Sequence, residues 1–379
     1  MPDEIYYDNS ATTKTRKEAA ELVYEMLTDC YANPSSLHRK GFEAQKRLDT
    51  ARAQIADSLG CQSSEIYFTA GGTEADNLAI LGAARAQKRR GNKIVTTAFE
   101  HDAVLHTVDF LESEGWEIVR LKPDSNGQIS PEQVLKAVDE NTVLFSMMAV
   151  NNEVGSILPV GSVSRILKRR YPQLLIHCDA VQAYCKEPIR LQKMPEIDFL
   201  SVSGHKIYAP KGCGALYIKK SSRWRPVTFG GGQEKNVRPG TEAIANHCAM
   251  GLSASLLMQE REKNHRKIAQ IRDALLEGLT KLPNICINSP ADATPYILNF
   301  SALGVRSEIM LHFLEEKGIY VSSGSACAKG GASHVLASMG LSHERADSAI
   351  RLSFGRYNTP DEVPVFLAAL EEGLSRFRR

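Results

Sequence analysis

The sequence has 379 residues, 43% hydrophobic and 24% charged. That excludes a disordered, collagenous or disulfide-stapled chain and, at about 150 residues per domain, favours two or three domains over one. Its 46 basic and 44 acidic residues leave a net charge of +2, too weak a field to expect direct binding of nucleic acid or of an anionic membrane.

No apolar run approaches the roughly 18 residues that suggest a bilayer span, and the acidic start Met1-Pro2-Asp3-Glu4 is not expected to be a secretory signal. Eight cysteines are scattered singly, without the spacing of a disulfide framework or zinc ribbon, so a reducing cytoplasm is the expected compartment.

Strand-like apolar runs then alternate with amphipathic stretches. Ile66–Phe68 precedes a helix over Thr73–Arg90, Lys93–Thr97 precedes Ala103–Glu114, and Thr142–Val150 precedes Val160–Arg169, with Leu174–Cys178 following. This alternation predicts an α/β fold with a mostly parallel, buried sheet. Asp198–Ser203 and Ala215–Ile218 bring the expected sheet to about seven strands. Thr241 to about Leu282 reads as one long helix leaving one domain for another, with the boundary near Met258. Beyond it, strands Ile285–Asn288, Tyr296–Phe300, Ile319–Ser322 and Ile350–Phe354 mix with helices Ser307–Lys317 and Pro360–Phe377, as in a smaller α+β domain.

Chemistry collects at the strand ends. Lys206 lies just past the run ending at Ser203, and Asp179 ends the run from Leu174, positions at the carboxyl edge where α/β sheets bind ligands. A lysine that forms a Schiff base and an aspartate that pairs with a protonated pyridine nitrogen are the apparatus of pyridoxal phosphate. Zinc on His177, Cys178 and Cys185 is the alternative, with poor geometry because adjacent strand residues point to opposite faces. Thr69–Asn77 supplies a strand, a glycine turn and a helix start. Its amides, the helix dipole and the Thr73 hydroxyl suit a phosphate, although a Gly-Gly-Thr start is also an ordinary cap. No nucleotide P-loop or dinucleotide motif is present.

His101, after another strand, can stack on a ring or move protons there, or be structural. Asn151–Gly155 follows the strand ending at Val150 and offers an asparagine amide to a phenolic oxygen. Cys327 sits among Ser, Gly, Ala and Lys, which favours a solvent-reachable thiol whose thiolate Lys329 can stabilise. Arg351, inside an apolar run, needs a partner, either a substrate α-carboxylate or a structural salt bridge.

Taken in order, Tyr7–Thr13, Asn33–His38, Gly71–Asn77, Glu100-His101, Asn151–Gly155, Asp179–Gln182, Ser203–Lys206, Gly230–Glu234, Arg238–Thr241, Ser323–Cys327 and Arg351 resemble the cysteine desulfurases of the NifS/IscS type, class V members of the fold-type I pyridoxal-phosphate enzymes. The resemblance covers essentially the whole chain. It implies a large domain over 15–258 with a mostly parallel seven-stranded sheet, and a small α+β domain formed by 1–14 and 259–379 that carries the catalytic cysteine.

It also implies roles. Lys206 would be the Schiff-base lysine, Asp179 the pyridine partner, and Asn152 and Gln182 the donors to the phenolic oxygen. Gly72, Thr73, Ser203 and His205 would hold the phosphate, with Thr241 reaching it from the partner subunit of a homodimer. His101 would stack on the ring, and Arg351 and Asn33 would clamp the carboxylate of L-cysteine. Cys327 would take the substrate sulfur as a persulfide, with release of alanine, and pass it to an acceptor protein. Ala328–His334 departs from the pattern associated with iron–sulfur scaffold delivery, so the acceptor stays open between such a scaffold and a tRNA or thiamine thiolation enzyme. A class V aminotransferase, a selenocysteine lyase and a catalytically silent partner of a sulfur-transfer complex are the competing readings, the last opposed by intact Lys206, Asp179 and Cys327.

Overall fold

The computed structural model describes residues 4–323 and 333–378. Seven strands form the central sheet, in the spatial order Ile66–Thr69, Gly214–Ile218, Phe199–Ser203, Leu175–Asp179, Thr142–Ser146, Lys93–Thr97, Glu117–Leu121. The last five are mutually parallel, and Gly214–Ile218 runs antiparallel to both of its neighbours.

Successive residues of these strands feed two different cores. Ile94, Leu144, Leu175, Phe199 and Leu216 pack with the helix Gly72–Gln87; Val95, Phe145, Ile176, Leu200 and Ala215 pack into the larger core on the other face. A two-residue period buried on both sides is why these strands read as unbroken apolar runs. Glu117–Leu121 is different: it is an edge strand, largely half-buried or exposed, and its mixed composition hid it in the sequence.

A four-stranded antiparallel sheet runs Ser322–Ser323, Ala349–Ser353, Ile297–Ala302, Ile285–Ile287. The expected strand Ile319–Ser322 is split, because Ile319–Tyr320 pairs instead with Ile5–Tyr6 in a parallel two-stranded ribbon. The chain start is tied down further by Asn9 Nδ2, which donates to Ser353 O at 3.0 Å, and by Tyr7, whose ring packs edge-on against Phe354 and Phe366. The long helix spans Ile244–Lys281, about 57 Å at 1.5 Å per residue. It packs on the helices Lys17–Thr28 and Arg39–Leu59. No helix among the described residues is long and apolar enough to cross a membrane.

One buried ion pair fastens the glycine-rich segment before the long helix. Glu234 accepts two hydrogen bonds from Arg52, at 2.6 and 2.7 Å, and one from Phe68 N at 2.9 Å. It thereby holds Glu234, Lys235 and Asn236 in three successive left-handed conformations, φ 45°, 53° and 66°, which non-glycine residues adopt only under external constraint. Removing one partner leaves the other charge buried and unmatched, so Glu234→Ala is expected to lose about 3 kcal/mol, read as a lower urea midpoint.

Candidate active site

A cavity of about 380 Å³ opens at the carboxyl edge of the parallel strands. It brings together Gly72 and Thr73 from the turn after Ile66–Thr69, His101 after Lys93–Thr97, Asn152 after Thr142–Ser146, Asp179 and Gln182, and Ser203, His205 and Lys206 at the end of Phe199–Ser203. Arg351 enters from the four-stranded sheet.

Lys206 ends a short 3-10 turn that starts where its strand stops. Its Nζ donates to the backbone carbonyl of Ser10 and, at 2.8 Å, to that of Ala11. Burial lowers its pKa from 10.5 to about 7, with Lys186 and Arg351 adding like charge. A substantial fraction of the amine is therefore unprotonated near neutrality, the form that adds to a carbonyl or accepts a proton.

Strand alternation places Ser146, His177, Asp179, Ser201 and Ser203 on the sheet face that packs against Gly72–Gln87, the helix that contributes Asp76. His177 Nδ1 lies 2.8 Å from Ser146 Oγ and its Nε2 3.0 Å from Ser201 Oγ. Burial pushes His177 down to about 4 and Asp76 up to about 7. The 3.4 Å contact between them thus joins a neutral imidazole to a carboxyl that holds its proton below about pH 7. With both ring nitrogens engaged and Cys178 buried in the core on the opposite face, His177 and Cys178 cannot share a zinc ion.

Asp179 accepts from Val181 N at 2.8 Å. Burial, and then the neighbouring Asp76, hold its carboxyl well above the usual range, an environment that a cationic ligand atom would relieve. Glu100 lies beside this group. Its Oε1 accepts from Thr97 Oγ1 at 2.6 Å and Met148 N at 3.0 Å, while Oε2 finds no partner among the described residues.

The turn between Ile66–Thr69 and its helix is closed by small residues. A Cβ on Gly72 would stand 2.7 Å from Val181 Cγ2, and one on Gly214 2.7 Å from Gly71 Cα, so the first-turn amides are held close to the sheet edge. They border an open hollow shared with His205 and Lys211, a setting suited to an anion. Burial, and then Lys206, push His205 down to about 4; its Nδ1 lies 3.2 Å from Thr12 Oγ1.

Ser203 Oγ and Asn152 Oδ1 are buried without a hydrogen-bond partner among the described residues. Gln182 Nε2 donates to Ser10 O at 3.0 Å. His101 caps the helix Asp102–Ser113, its Nδ1 accepting from Ala103 N at 3.1 Å, which leaves the proton of the neutral ring on Nε2. A near-neutral lysine, a buried carboxylate wanting a cation, an anion cradle and unpaired buried polar atoms in one cavity fit pyridoxal phosphate in size and in donor set.

Arg351 keeps both of the partners left open by its sequence context within reach. Its Nη2 pairs with Asp8 Oδ1 at 2.8 Å and Nη1 donates to Asn152 O at 3.0 Å, yet the guanidinium still lines the cavity. Asn33 and Thr241 do not. Both are exposed, and Asn33 Oδ1 accepts from Ser35 N at 2.9 Å in its own turn. Cys327 lies outside the described residues, but both flanks of its segment meet the cavity wall. Ser322 and Ser323 line it directly, and Ser333 Oγ donates to Glu153, another lining residue.

Residue-type reasoning missed Ser10 and Ala11, which act through backbone oxygens, and Asp8 and Lys211, which carried no spacing signal. Asp76 had one: it stands four residues after Gly72, on the same face of the first helical turns.

Burial raises Glu100 from 4.5 to about 8. Because the folded value is the higher, its contribution to stability is full below about pH 4.5 and is lost as pH rises through about 8. Glu100→Gln, nearly isosteric, should match the wild-type thermal midpoint at about pH 4.5 and fall less steeply between about pH 5 and 8.

The model of the Aminotransferase class-V family matches residues 5–366. A cysteine desulfurase IscS of Methanosarcina thermophila is 41% identical over 377 residues, covering 99% of this chain and 93% of that protein. Among solved structures, a NifS-like protein superposes with a TM-score of 0.93 at 37% identity, covering 98% of this chain and 100% of the other. SspA, solved in complex with cysteine, gives 0.82 at 33% identity, covering 94% and 100%. The chain belongs to the aminotransferase class-V family, among its NifS/IscS-like cysteine desulfurases, enzymes that use pyridoxal phosphate.

Proposed function

We propose that this chain converts L-cysteine to L-alanine and carries the sulfur away as a persulfide on Cys327. The observation that carries the reading is the near-neutral Lys206 amine facing a cavity that also holds Asp179 and Arg351. In this reading Gly72, Thr73, Ser203 and His205 hold the cofactor phosphate, Asp179 its ring nitrogen, and Asn152 and Gln182 its phenolic oxygen, with His101 against the ring. Bound there, pyridoxal phosphate supplies an electron sink for the pair left when the substrate Cα–H bond breaks.

The chain's own residues do the rest. Arg351 orients the substrate carboxylate, with Asn33 as a second contact. Lys206, once its amine is released, takes the Cα proton. The Cys327 thiolate then attacks the substrate sulfur; the new S–S bond forms as the S–Cβ bond breaks, and the carbon skeleton gains protons and leaves as alanine.

The assembly we propose is a homodimer, with Thr241, exposed and away from its own cavity, serving the partner's phosphate site. The division we propose places 15–258 in a large domain and 1–14 with 259–379 in a small one, supported by the pairing of Ile5–Tyr6 with Ile319–Tyr320. Met258 falls inside the continuous long helix, which would then be shared by the two. Seven unpaired cysteines among the described residues support a cytoplasmic setting. The persulfide would pass to an acceptor protein, an iron–sulfur scaffold or a tRNA or thiamine thiolation enzyme.

Sulfide and alanine released from L-cysteine with a thiol reductant should appear in equal amounts and be lost in Cys327→Ala. Sulfide released unchanged in that variant, with pyruvate and ammonia in place of alanine, would leave a β-eliminating lyase on the same site, and conversion of cysteine to its keto acid without sulfide would leave an aminotransferase. Arg351→Ala should raise KM for cysteine roughly 10- to 100-fold, the worth of a lost charged hydrogen bond, with a smaller change in kcat.

A further inference from the structure

Lys186 is a buried cation at 7% exposure. Among the described residues it forms no ion pair; its contacts are Gln182 Oε1 at 3.4 Å and the face of the Tyr296 ring at 5.7 Å. An ammonium withdrawn from water without a counter-ion is costly, and its place in the fold gives that charge a direction. Lys186 Nζ donates to Gln182 Oε1, Gln182 Nε2 donates to Ser10 O, and the same carbonyl receives Lys206 Nζ. Gln182 and Lys206 line the cavity; Lys186 stands behind them and opens instead on a cleft with Arg261 and His265 of the long helix.

Two effects follow from this order. An ammonium on Oε1 settles which end of the Gln182 amide is which, so the NH2 end is the one turned to Ser10 and the cavity. The positive charge also acts on whatever amine or imine nitrogen stands at the Lys206 position, making its protonated form less stable.

We infer that Lys186 is a positioning residue for the reaction at Lys206, holding the donor end of Gln182 toward the cavity and keeping a positive charge behind the reacting nitrogen. The inference rests on the reading of Lys206 as the Schiff-base lysine. The charges facing Lys206 are Lys186 and Arg351 against Asp8 and Asp179. Those acting on Lys186 are Glu187 and Cys185, which oppose the lowering by burial to about 8, with Arg261, Glu262, His265 and Arg266 across the cleft. Lys186 is thus charged through neutral pH.

The test is the visible absorbance titration of the lysine–cofactor Schiff base in the holoenzyme, between pH 6 and 9 and without cysteine. Lys186→Met removes the charge and keeps the length of the side chain; Lys186→Arg keeps the charge. The expected result is a midpoint at least half a unit higher in Lys186→Met, roughly a threefold gain in proton affinity, with Lys186→Arg returning toward wild type. A midpoint unchanged in Lys186→Met, or moved as far in Lys186→Arg, overturns the inference. Should Lys186→Met not fold, Lys186→Gln is the neutral replacement under the same criteria. The spectrum needs no turnover, so a failure to form alanine leaves this result standing.

Discussion

The amine of Lys206 is held by two backbone carbonyls, of Ser10 and Ala11, in a place where burial and like charges weaken its hold on its proton. Everything else at the site presupposes that placement. No side-chain replacement at residues 10 or 11 removes an acceptor made of main chain, so what must be preserved is the path of the segment that brings them there. Thr13 holds that path by donating through its amide and its hydroxyl to His205 O, at 2.9 and 2.8 Å. Asn9, Ser10 and Tyr7 fasten the other end to the strand that carries Arg351.

Beneath the cavity the sheet carries polar groups where a buried parallel sheet normally carries aliphatic ones. Ser146, His177 and Ser201 satisfy one another across three adjacent strands, and Asp76 and Glu100 add carboxyls whose charge burial suppresses. With these neighbours largely uncharged, little negative charge faces Asp179, in a medium of low dielectric where a second one would be costly.

The parts of this architecture that were legible in the sequence are those where a residue's type and its surroundings point the same way. Lys93–Thr97, Leu175–Asp179 and Phe199–Ser203 are buried on both faces and read as apolar runs ending in polar residues, which located Lys206, Asp179, Ser203 and His101 at one edge. Glu117–Leu121 was missed because an edge strand carries Glu and Arg on its solvent side. The helices Lys17–Thr28 and Arg39–Leu59 were missed too, because neither follows a strand-like apolar run and their charged residues interrupt the buried faces. Ser10 and Ala11 contribute atoms that every residue has, so no residue type could announce them. Asn33 and Thr241 were assigned by resemblance alone, and within a single copy of the chain neither reaches the cavity.

The ribbon of Ile5–Tyr6 with Ile319–Tyr320 joins almost the first residues made to residues made some 300 positions later. At 5–20 residues per second of synthesis, that leaves the initial segment without its partner strand for roughly 15 to 60 seconds. Until then the segment of Asp8, Ser10 and Ala11 is held only at its far end, by Thr13 on His205 O and Gln182 on Ser10 O, and the carbonyl acceptors of the Lys206 amine are only partly fixed. A nascent chain with its central sheet already folded therefore holds an incomplete cavity, and Lys206 acquires its final surroundings among the last events of folding rather than with the sheet that bears it.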